Sequence, residues 1–145
     1  MKTILIVVDE PQLRLLYAEF LDLLGYRACT ARNGTEALAM VEQERPQLIL
    51  LDVEMPDLNG IEVLGRLRAE HFGGKVLMMS GSWDEAAQTR AYELGVARLV
   101  SKPFGLDQLE QAVRDSLSPT GRWLAPDEGE AQLALAKAPL RERIA

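Results

Sequence analysis

The sequence has very few of the residues that build covalent cross-links and metal–thiolate clusters. It contains one cysteine, Cys29, and one histidine, His71, among 145 residues. A single cysteine excludes an internal disulfide and a cysteine-rich metal site. Long apolar runs are also missing: the first, residues 4–8, stops at an acid, whereas a membrane span needs roughly 18 apolar residues. These absences predict a cytoplasmic protein that does not bind membranes.

An excess of basic residues is missing as well. Asp and Glu together number 22 against 16 Lys and Arg, which gives a net charge of −6. Because nucleic-acid binding depends on clustered Lys and Arg, this balance argues against nucleic acid as a partner. The chain is instead 48% hydrophobic and 26% charged, which is typical of a globular protein, and its length allows one ordinary domain.

Five short apolar runs alternate with segments in which apolar residues recur at helical spacing. The runs predict strands at residues 4–8, 26–30, 48–51, 75–79 and 97–100, and the last predicted helix covers residues 106–117. Strands that alternate with helices indicate a doubly wound α/β fold, with a five-stranded parallel sheet and helices on both faces. The pattern stops at Ser118. We therefore predict one domain over residues 1–118 and a tail over residues 119–145 that is partly disordered or weakly helical.

Polar residues end four of the predicted strands. They are Asp9, Asp52, Ser80 and Lys102. Because the carboxyl ends of parallel strands share one edge of the sheet, we expect these side chains to converge there. Carboxylates suit a hard cation such as Mg²⁺, and an ammonium and a hydroxyl can bind phosphoryl oxygens. If Asp52 were only a turn residue and Ser80 only a strand-end cap, the presence of polar residues at the ends of four strands would have no explanation.

The motifs around these residues resemble the receiver domain of two-component response regulators, including the single-domain chemotaxis receiver. They are Val-Val-Asp9-Glu10-Pro11, Leu-Leu-Asp52-Val-Glu-Met-Pro56-Asp-Leu-Asn-Gly60, Met-Ser80-Gly and Ser-Lys102-Pro103-Phe104. They occur in the family's order and spacing over about residues 1–118. The resemblance implies a flavodoxin-like sheet with strand order 2-1-3-4-5, which is the family's order and not a result of the pattern above.

The resemblance also implies a role for each residue of the phosphorylation site. Asp52 is similar to the aspartate that accepts a phosphoryl group from the phosphohistidine of a sensor histidine kinase or phosphotransfer protein. Ser80 resembles the hydroxyl residue that moves onto the phosphate, and Lys102 resembles the lysine that pairs with it. The bond between Lys102 and Pro103 corresponds to one that is cis in the family.

The metal pocket departs from the family's pattern. Asp9 resembles the acid that binds Mg²⁺ directly, together with the Asp52 carboxylate and the Glu54 backbone carbonyl. The family usually has two adjacent acids after the first strand. If Asp9 and Glu10 form this pair, nothing is missing and Glu10 is a further ligand. If the following proline fixes the register, Val8 replaces the first acid and Mg²⁺ binds more weakly; we favour this second alignment because it keeps the length of the first helix.

A second departure concerns the conformational switch. Leu99 stands three residues before Lys102, where the family usually has an aromatic residue that turns inward on phosphorylation. Leucine has no polar tip to expose or withdraw, so its two positions would differ less in energy. Val8 and Leu99 therefore leave open an alternative: a degenerate receiver that binds proteins independently of phosphorylation.

Two other functional classes fit the residues less well. An aspartyl phosphatase usually has its nucleophile after the first strand and another aspartate two residues later, whereas Asp9 is followed by Glu10 and Pro11. A flavin carrier would need a phosphate-binding turn that is absent here. We therefore expect a signalling receiver and not an enzyme, apart from its own aspartyl phosphorylation and dephosphorylation. Since the tail is too short for a DNA-binding domain, we expect output through a protein partner or a homodimer.

Overall fold

Strands and helices alternate along residues 1–118, which are the residues that the computed structural model describes. The strands are β1 (Thr3–Val7), β2 (Arg27–Ala31), β3 (Leu48–Asp52), β4 (Lys75–Ser80) and β5 (Arg98–Ser101). The helices are α1 (Pro11–Leu23), α2 (Gly34–Glu44), α3 (Gly60–Ala69), α4 (Glu85–Glu93) and α5 (Leu106–Leu117). Every predicted strand is present with its ends within one residue, and the last predicted helix has the predicted bounds.

The five strands form one parallel sheet in the order β2-β1-β3-β4-β5. This confirms the predicted architecture and strand order. All five residues of β3 are buried, because β3 lies at the centre of the sheet and helices cover both of its faces. Alternate residues of each strand pack into two separate cores: Ile49 and Leu51 lie in one, and Leu48 and Leu50 lie in the other.

Local side-chain caps explain where three of the helices begin. The Asn33 side chain accepts a hydrogen bond from the Glu36 backbone at the start of α2. Asn59 and Glu62 form a reciprocal capping box at α3, and the Asp84 side chain caps α4 by accepting from Ala87 N. Each cap binds backbone N–H groups that have no partner within the helix. The caps therefore fix the start of each helix at the edge of the sheet where β1, β3 and β4 end.

The loop between β3 and α3 is tied to α2 by Asp57. One Asp57 carboxylate oxygen accepts a hydrogen bond from Gly34 N at 3.0 Å. The other accepts from Thr35 N at 3.0 Å and from Thr35 Oγ1 at 2.9 Å. The backbone N–H of Leu58, followed by these bonds from Thr35 and Gly34, holds the pKa of Asp57 far below its usual value. The carboxylate thus caps the positive end of α2 and fixes the loop that follows Asp52.

Arg68 joins several helix and strand ends at the opposite edge of the sheet. Its guanidinium is partly buried and donates hydrogen bonds of 2.7–3.0 Å to the backbone carbonyls of Phe72, Gly74, Leu94 and Gly95. These carbonyls follow the ends of α3 and α4, where the helix dipole favours a positive charge. One side chain therefore connects α3, α4 and the approach to β4.

The predicted tail over residues 119–145 lies outside the described residues. Within residues 1–118, none of the helices has the length and apolar character needed to cross a membrane.

Candidate functional site

The strand register brings the predicted site residues to one edge of the sheet. Asp52 pairs with Met79 in β4, and Ser80 pairs with Ser101 in β5, directly before Lys102. Gly60 packs behind Asp52 so closely that a Cβ atom there would lie 2.5 Å from the Asp52 carbonyl oxygen. The structure thus places the ends of β3, β4 and β5 side by side, and a larger residue at the start of α3 would displace Asp52.

Asp52 is a buried carboxylate with two protein partners. It is 3% exposed. Lys102 Nζ donates to Asp52 Oδ2 at 2.8 Å, and the backbone N of Glu54 donates to Asp52 Oδ1 at 3.1 Å. Burial raises the pKa of Asp52, although the hydrogen bond and charge of Lys102 act in the opposite direction. Lys102 therefore neutralises the buried carboxylate only in part, and a bound cation would stabilise its ionised form further.

The segment after β5 holds Lys102 in place. The Lys102 backbone N donates to the Ser80 carbonyl at 2.8 Å, and the bond between Lys102 and Pro103 is cis, as the sequence predicts. Phe104 stacks on Tyr17 of α1, with ring centroids 5.9 Å apart. Burial raises the pKa of the Tyr17 phenol, with further contributions from the negative charges of nearby acids. Tyr17 is thus a neighbour of the site that the sequence did not reveal.

Ser80 does not contact Asp52 in this structure but binds elsewhere in the site. Its side chain is buried, and Ser80 Oγ lies 3.1 Å from Glu54 Oε1 and 2.9 Å from the Ser82 carbonyl. The backbone N of Ser82 donates to Ser80 Oγ at 3.1 Å, and that of Gly81 donates to Glu54 Oε1 at 2.9 Å. The resemblance singled out Glu54 for its backbone carbonyl and as the residue two past Asp52, where the family tunes hydrolysis of the phosphoryl group by water, without assigning its effect here. Nothing in the sequence indicates that its carboxylate reaches the end of β4.

Val8 and Asp9, the two residues after β1, differ in their surroundings. Val7, the last residue of β1, pairs with Leu51, so Val8 directly follows β1 as Asp52 directly follows Leu51, which brings the two residues to the same level of the sheet edge. Val8 is 1% exposed and packs in the core, whereas Asp9 is exposed, as is the residue after it. Arg14 Nη1 donates to the backbone carbonyls of Val8 and Asp9 at 2.8 and 3.2 Å, which fixes this turn.

The residues at this edge fit a lightly ligated Mg²⁺ ion. Residues 1–118 contain no cluster of three or more His, Cys, Asp or Glu side chains arranged to hold a metal. The predicted ligand set has only two side chains, the carboxylates of Asp9 and Asp52, and a third ligand from the backbone, the carbonyl of Glu54. Mg²⁺ commonly binds through one or two carboxylates and keeps several waters. Burial raises the pKa of Asp52, and Lys102 offsets this only in part. A bound cation would stabilise the ionised carboxylate further, so the donor set suits such an ion.

Leu99 occupies the predicted position in β5. It pairs with Met78 of β4 and is partly buried against the core. Trp83, which precedes α4, packs against the same core and donates from Nε1 to the Val100 carbonyl at 3.3 Å. The region in which a switch would operate therefore contains a leucine and a tryptophan that are both packed.

Known proteins share both this sequence and this fold. The profile of the family described as response regulator receiver domain matches residues 4–114. The chain is 36% identical over 114 residues to sporulation initiation phosphotransferase F of Bacillus subtilis, with 79% of this chain and 92% of that protein covered. It is 38% identical over 119 residues to the probable transcriptional regulator ycf27 of Cyanophora paradoxa, with 82% and 49% covered.

A solved structure agrees with these sequence matches. The response regulator protein TrrA of Thermotoga maritima, in complex with Mg²⁺-BeF, superposes with a TM-score of 0.72 and 34% identity. The match covers 81% of this chain and all of that one. This similarity supports the fold assignment. The solved structure contains Mg²⁺, the metal that the sequence predicts for this chain.

The matched transcriptional regulators are longer than this chain. The chain spans about half the length of several of them, from 49% to 58%. Because these relatives are named as regulators of transcription, they do not support the expectation from net charge that nucleic acid is not a partner. The family profile nevertheless covers most of the chain, and the fold and strand order agree with it. The chain therefore belongs to the response regulator receiver domain family, whose members are signalling domains of two-component systems.

Proposed function

We propose that this chain accepts a phosphoryl group on Asp52 from the phosphohistidine of a sensor histidine kinase or of a phosphotransfer protein. The observation that carries the proposal is the 2.8 Å contact between Lys102 Nζ and Asp52 Oδ2 at the carboxyl edge of the sheet. Burial of the Asp52 carboxylate costs desolvation energy that offsets much of the attraction to the partly exposed Lys102, so the ion pair by itself contributes little to stability. A chemical role gives a better one.

The transfer itself uses the Asp52 carboxylate as the nucleophile. One carboxylate oxygen forms the new bond to phosphorus while the bond from phosphorus to the imidazole nitrogen breaks, and its electron pair returns to the imidazole. Lys102 lowers the pKa of Asp52 against the effect of burial, which favours the ionised carboxylate that the attack requires. After the transfer, Lys102 holds a phosphoryl oxygen by a charge-assisted hydrogen bond.

The metal site is proposed at the same edge. Asp9, Asp52 and the Glu54 backbone carbonyl would hold Mg²⁺, with Glu10 as an alternative ligand. When bound, Mg²⁺ neutralises negative charge on the oxygens of the transferring phosphoryl group. Because Val8 stands where a second acid would hold a metal-bound water, we propose that phosphorylation needs more Mg²⁺ than in a receiver with both acids.

The output is proposed to pass through a protein partner or a second copy of the chain. Ser80 is the switch hydroxyl, which must leave its present acceptors to reach a phosphoryl group on Asp52. Leu99 lies on the adjacent strand and would repack with a small change in energy. We propose residues 1–118 as the receiver unit that undergoes this change, with residues 119–145 as a separate tail.

Intact mass spectrometry tests the proposal. Wild-type protein incubated with acetyl phosphate and Mg²⁺ should gain one phosphoryl group, and Asp52→Ala should gain none. Asp107→Asn is the matched control, because it alters an exposed carboxylate on α5 and should be phosphorylated like the wild type. An adduct that persists in Asp52→Ala would mean that another residue is the acceptor.

The second candidate is a degenerate receiver that acts as a phosphorylation-independent binding module. The burial of Val8 beside Asp52 favours it, because an apolar side chain occupies a position suited to an acid. Absence of an adduct on the wild type even at high Mg²⁺ concentration, in folded protein, would favour this candidate over the first.

A further inference from the structure

The carboxylate of Glu54 lies at the end of β4 and accepts hydrogen bonds there. The backbone N–H of Gly81 donates to Glu54 Oε1 at 2.9 Å. The Ser80 hydroxyl, which has a single proton, lies 3.1 Å from the same Glu54 oxygen and 2.9 Å from the Ser82 carbonyl. The same residue reaches the phosphoacceptor by its backbone, since Glu54 N donates to Asp52 Oδ1. Glu54 therefore spans the space between Asp52 and the end of β4.

The two donors form a small anion-binding site. Ser80 is 1% exposed, and Ser82 N donates to its hydroxyl oxygen, which fixes its position. The Gly81 N–H lies beyond the last residue of β4, where the sheet supplies no acceptor for it. A hydrogen bond to a charged oxygen is stronger than one between neutral groups, so Glu54 Oε1 can compete with the nearer Ser82 carbonyl for the hydroxyl proton of Ser80. A phosphoryl oxygen has the same acceptor chemistry as the carboxylate oxygen that is present.

We propose that the Glu54 carboxylate is an internal ligand that competes with the phosphoryl group for Ser80 and Gly81. This inference rests on the proposed function of Asp52. In the unphosphorylated protein, Glu54 accepts a hydrogen bond from the Gly81 N–H and shares the single hydroxyl proton of Ser80 with the Ser82 carbonyl. A phosphoryl group on Asp52 gains these donors only after the Glu54 side chain has left them. Glu54 is thus a positioning residue for Ser80, and it stabilises the unphosphorylated state.

Two variants separate this contact from simple charge repulsion. Glu54→Asp keeps the negative charge but is one methylene shorter, so it cannot bridge to Ser80 and Gly81 as glutamate does. Glu54→Gln keeps the length but offers only a neutral acceptor. The proposal expects both variants to bind a phosphoryl analogue more tightly. Repulsion alone predicts tighter binding for Glu54→Gln only. Glu42→Gln, an exposed change on α2, is the control for loss of one charge.

The contact itself is measured without metal or phosphoryl analogue. In ¹H–¹⁵N spectra of the metal-free protein, loss of the charge-assisted bond should move the Gly81 amide proton upfield in both Glu54 variants. The Glu42→Gln spectrum should leave this resonance in place. A Gly81 resonance that is the same in all four proteins would show that Glu54 does not bind this N–H in solution, and the proposal would be wrong.

The competition is measured with beryllofluoride in the presence of Mg²⁺. Trp83 lies next to Ser82 and reports binding by fluorescence, in a Trp123→Phe background that removes the other tryptophan. Loss of a hydrogen bond to a charged group predicts a roughly tenfold lower half-saturating concentration for both variants. Tighter binding by Glu54→Gln alone overturns the proposal in favour of repulsion. If none of the proteins binds beryllofluoride and acetyl phosphate gives no adduct, both the proposed function and the role of Glu54 are wrong. If all proteins form the phosphoryl adduct normally and bind beryllofluoride with equal affinity, only the role of Glu54 is wrong.

Discussion

Replacement of Val8 by aspartate should destabilise the metal-free protein and make its stability depend on Mg²⁺. Val8 is 1% exposed, so truncation to alanine should cost about 2 kcal/mol of unfolding free energy through lost packing. An aspartate adds a buried carboxyl group next to Asp52, which within residues 1–118 is paired with one cation, Lys102. With this added penalty, we expect the total loss for Val8→Asp to reach about 4 kcal/mol.

Mg²⁺ should return much of this loss. Ligand that binds only the folded state at 100 times its dissociation constant stabilises that state by about 2.7 kcal/mol. Urea unfolding of the wild type, Val8→Ala and Val8→Asp, each with EDTA and with Mg²⁺, measures the effect. Val8→Ala is the matched control, because it removes the same packing without supplying a ligand.

Two results would contradict this reasoning. Equal stability of Val8→Asp and Val8→Ala in EDTA would mean that the new carboxyl group escapes to solvent and does not lie beside Asp52. An equal response of all three proteins to Mg²⁺ would mean that the residue at position 8 is not near the metal, and the alignment that pairs Asp9 with Glu10 would then be preferred.

Three further changes test other parts of the structure. Lys102→Met should slow phosphorylation by acetyl phosphate at least roughly tenfold in intact-mass time courses, because one charge-assisted bond to the reacting group is lost; an unchanged rate would remove Lys102 from the site. The pKa of Asp57 is depressed, chiefly by the N–H of Leu58. The ionised Asp57 carboxylate therefore stabilises the folded state above the usual pKa of 3.8, and this stabilisation is lost as the pH falls below that value. Asp57→Asn should therefore flatten the acid limb of a stability–pH curve, and an identical limb would refute this. Arg68→Met should lower unfolding free energy by about 3 kcal/mol in urea, whereas exposed Arg66→Met should change it little; equal losses would contradict the role of Arg68.

The order of elements could be predicted from local sequence because burial leaves a periodic trace. The run from Leu48 to Asp52 has four apolar residues and then an acid, which predicts a central strand and places the acid at its end. Asn59 and Asp84 are residues that cap helices by their own side chains, so the starts of α3 and α4 were also readable. Lys102 and its cis bond to Pro103 followed from the resemblance of a short motif, and the structure has that bond.

Several features of the site depend on residues that are distant in sequence. Tyr17 reads as one more apolar position of α1, and only the folded chain stacks it on Phe104 near Asp52. Arg68 reads as a solvent-exposed charge near the end of α3, yet its bonds reach carbonyls as far as 27 residues away. Neither contact leaves a periodic signal, because each is made by a single side chain.

The sequence by itself therefore determined the α/β class, the strand positions and the family, and it marked Asp52, Ser80 and Lys102 as residues that end strands. Tertiary structure decided what surrounds them: the β1–β3 register placed buried Val8 beside Asp52, and the fold of the loop after β3 brought the Glu54 carboxylate to the end of β4. The physical reason is that hydrophobic periodicity reports only which residues are buried. The direction of a flexible polar side chain depends on which donors the whole fold leaves without a partner.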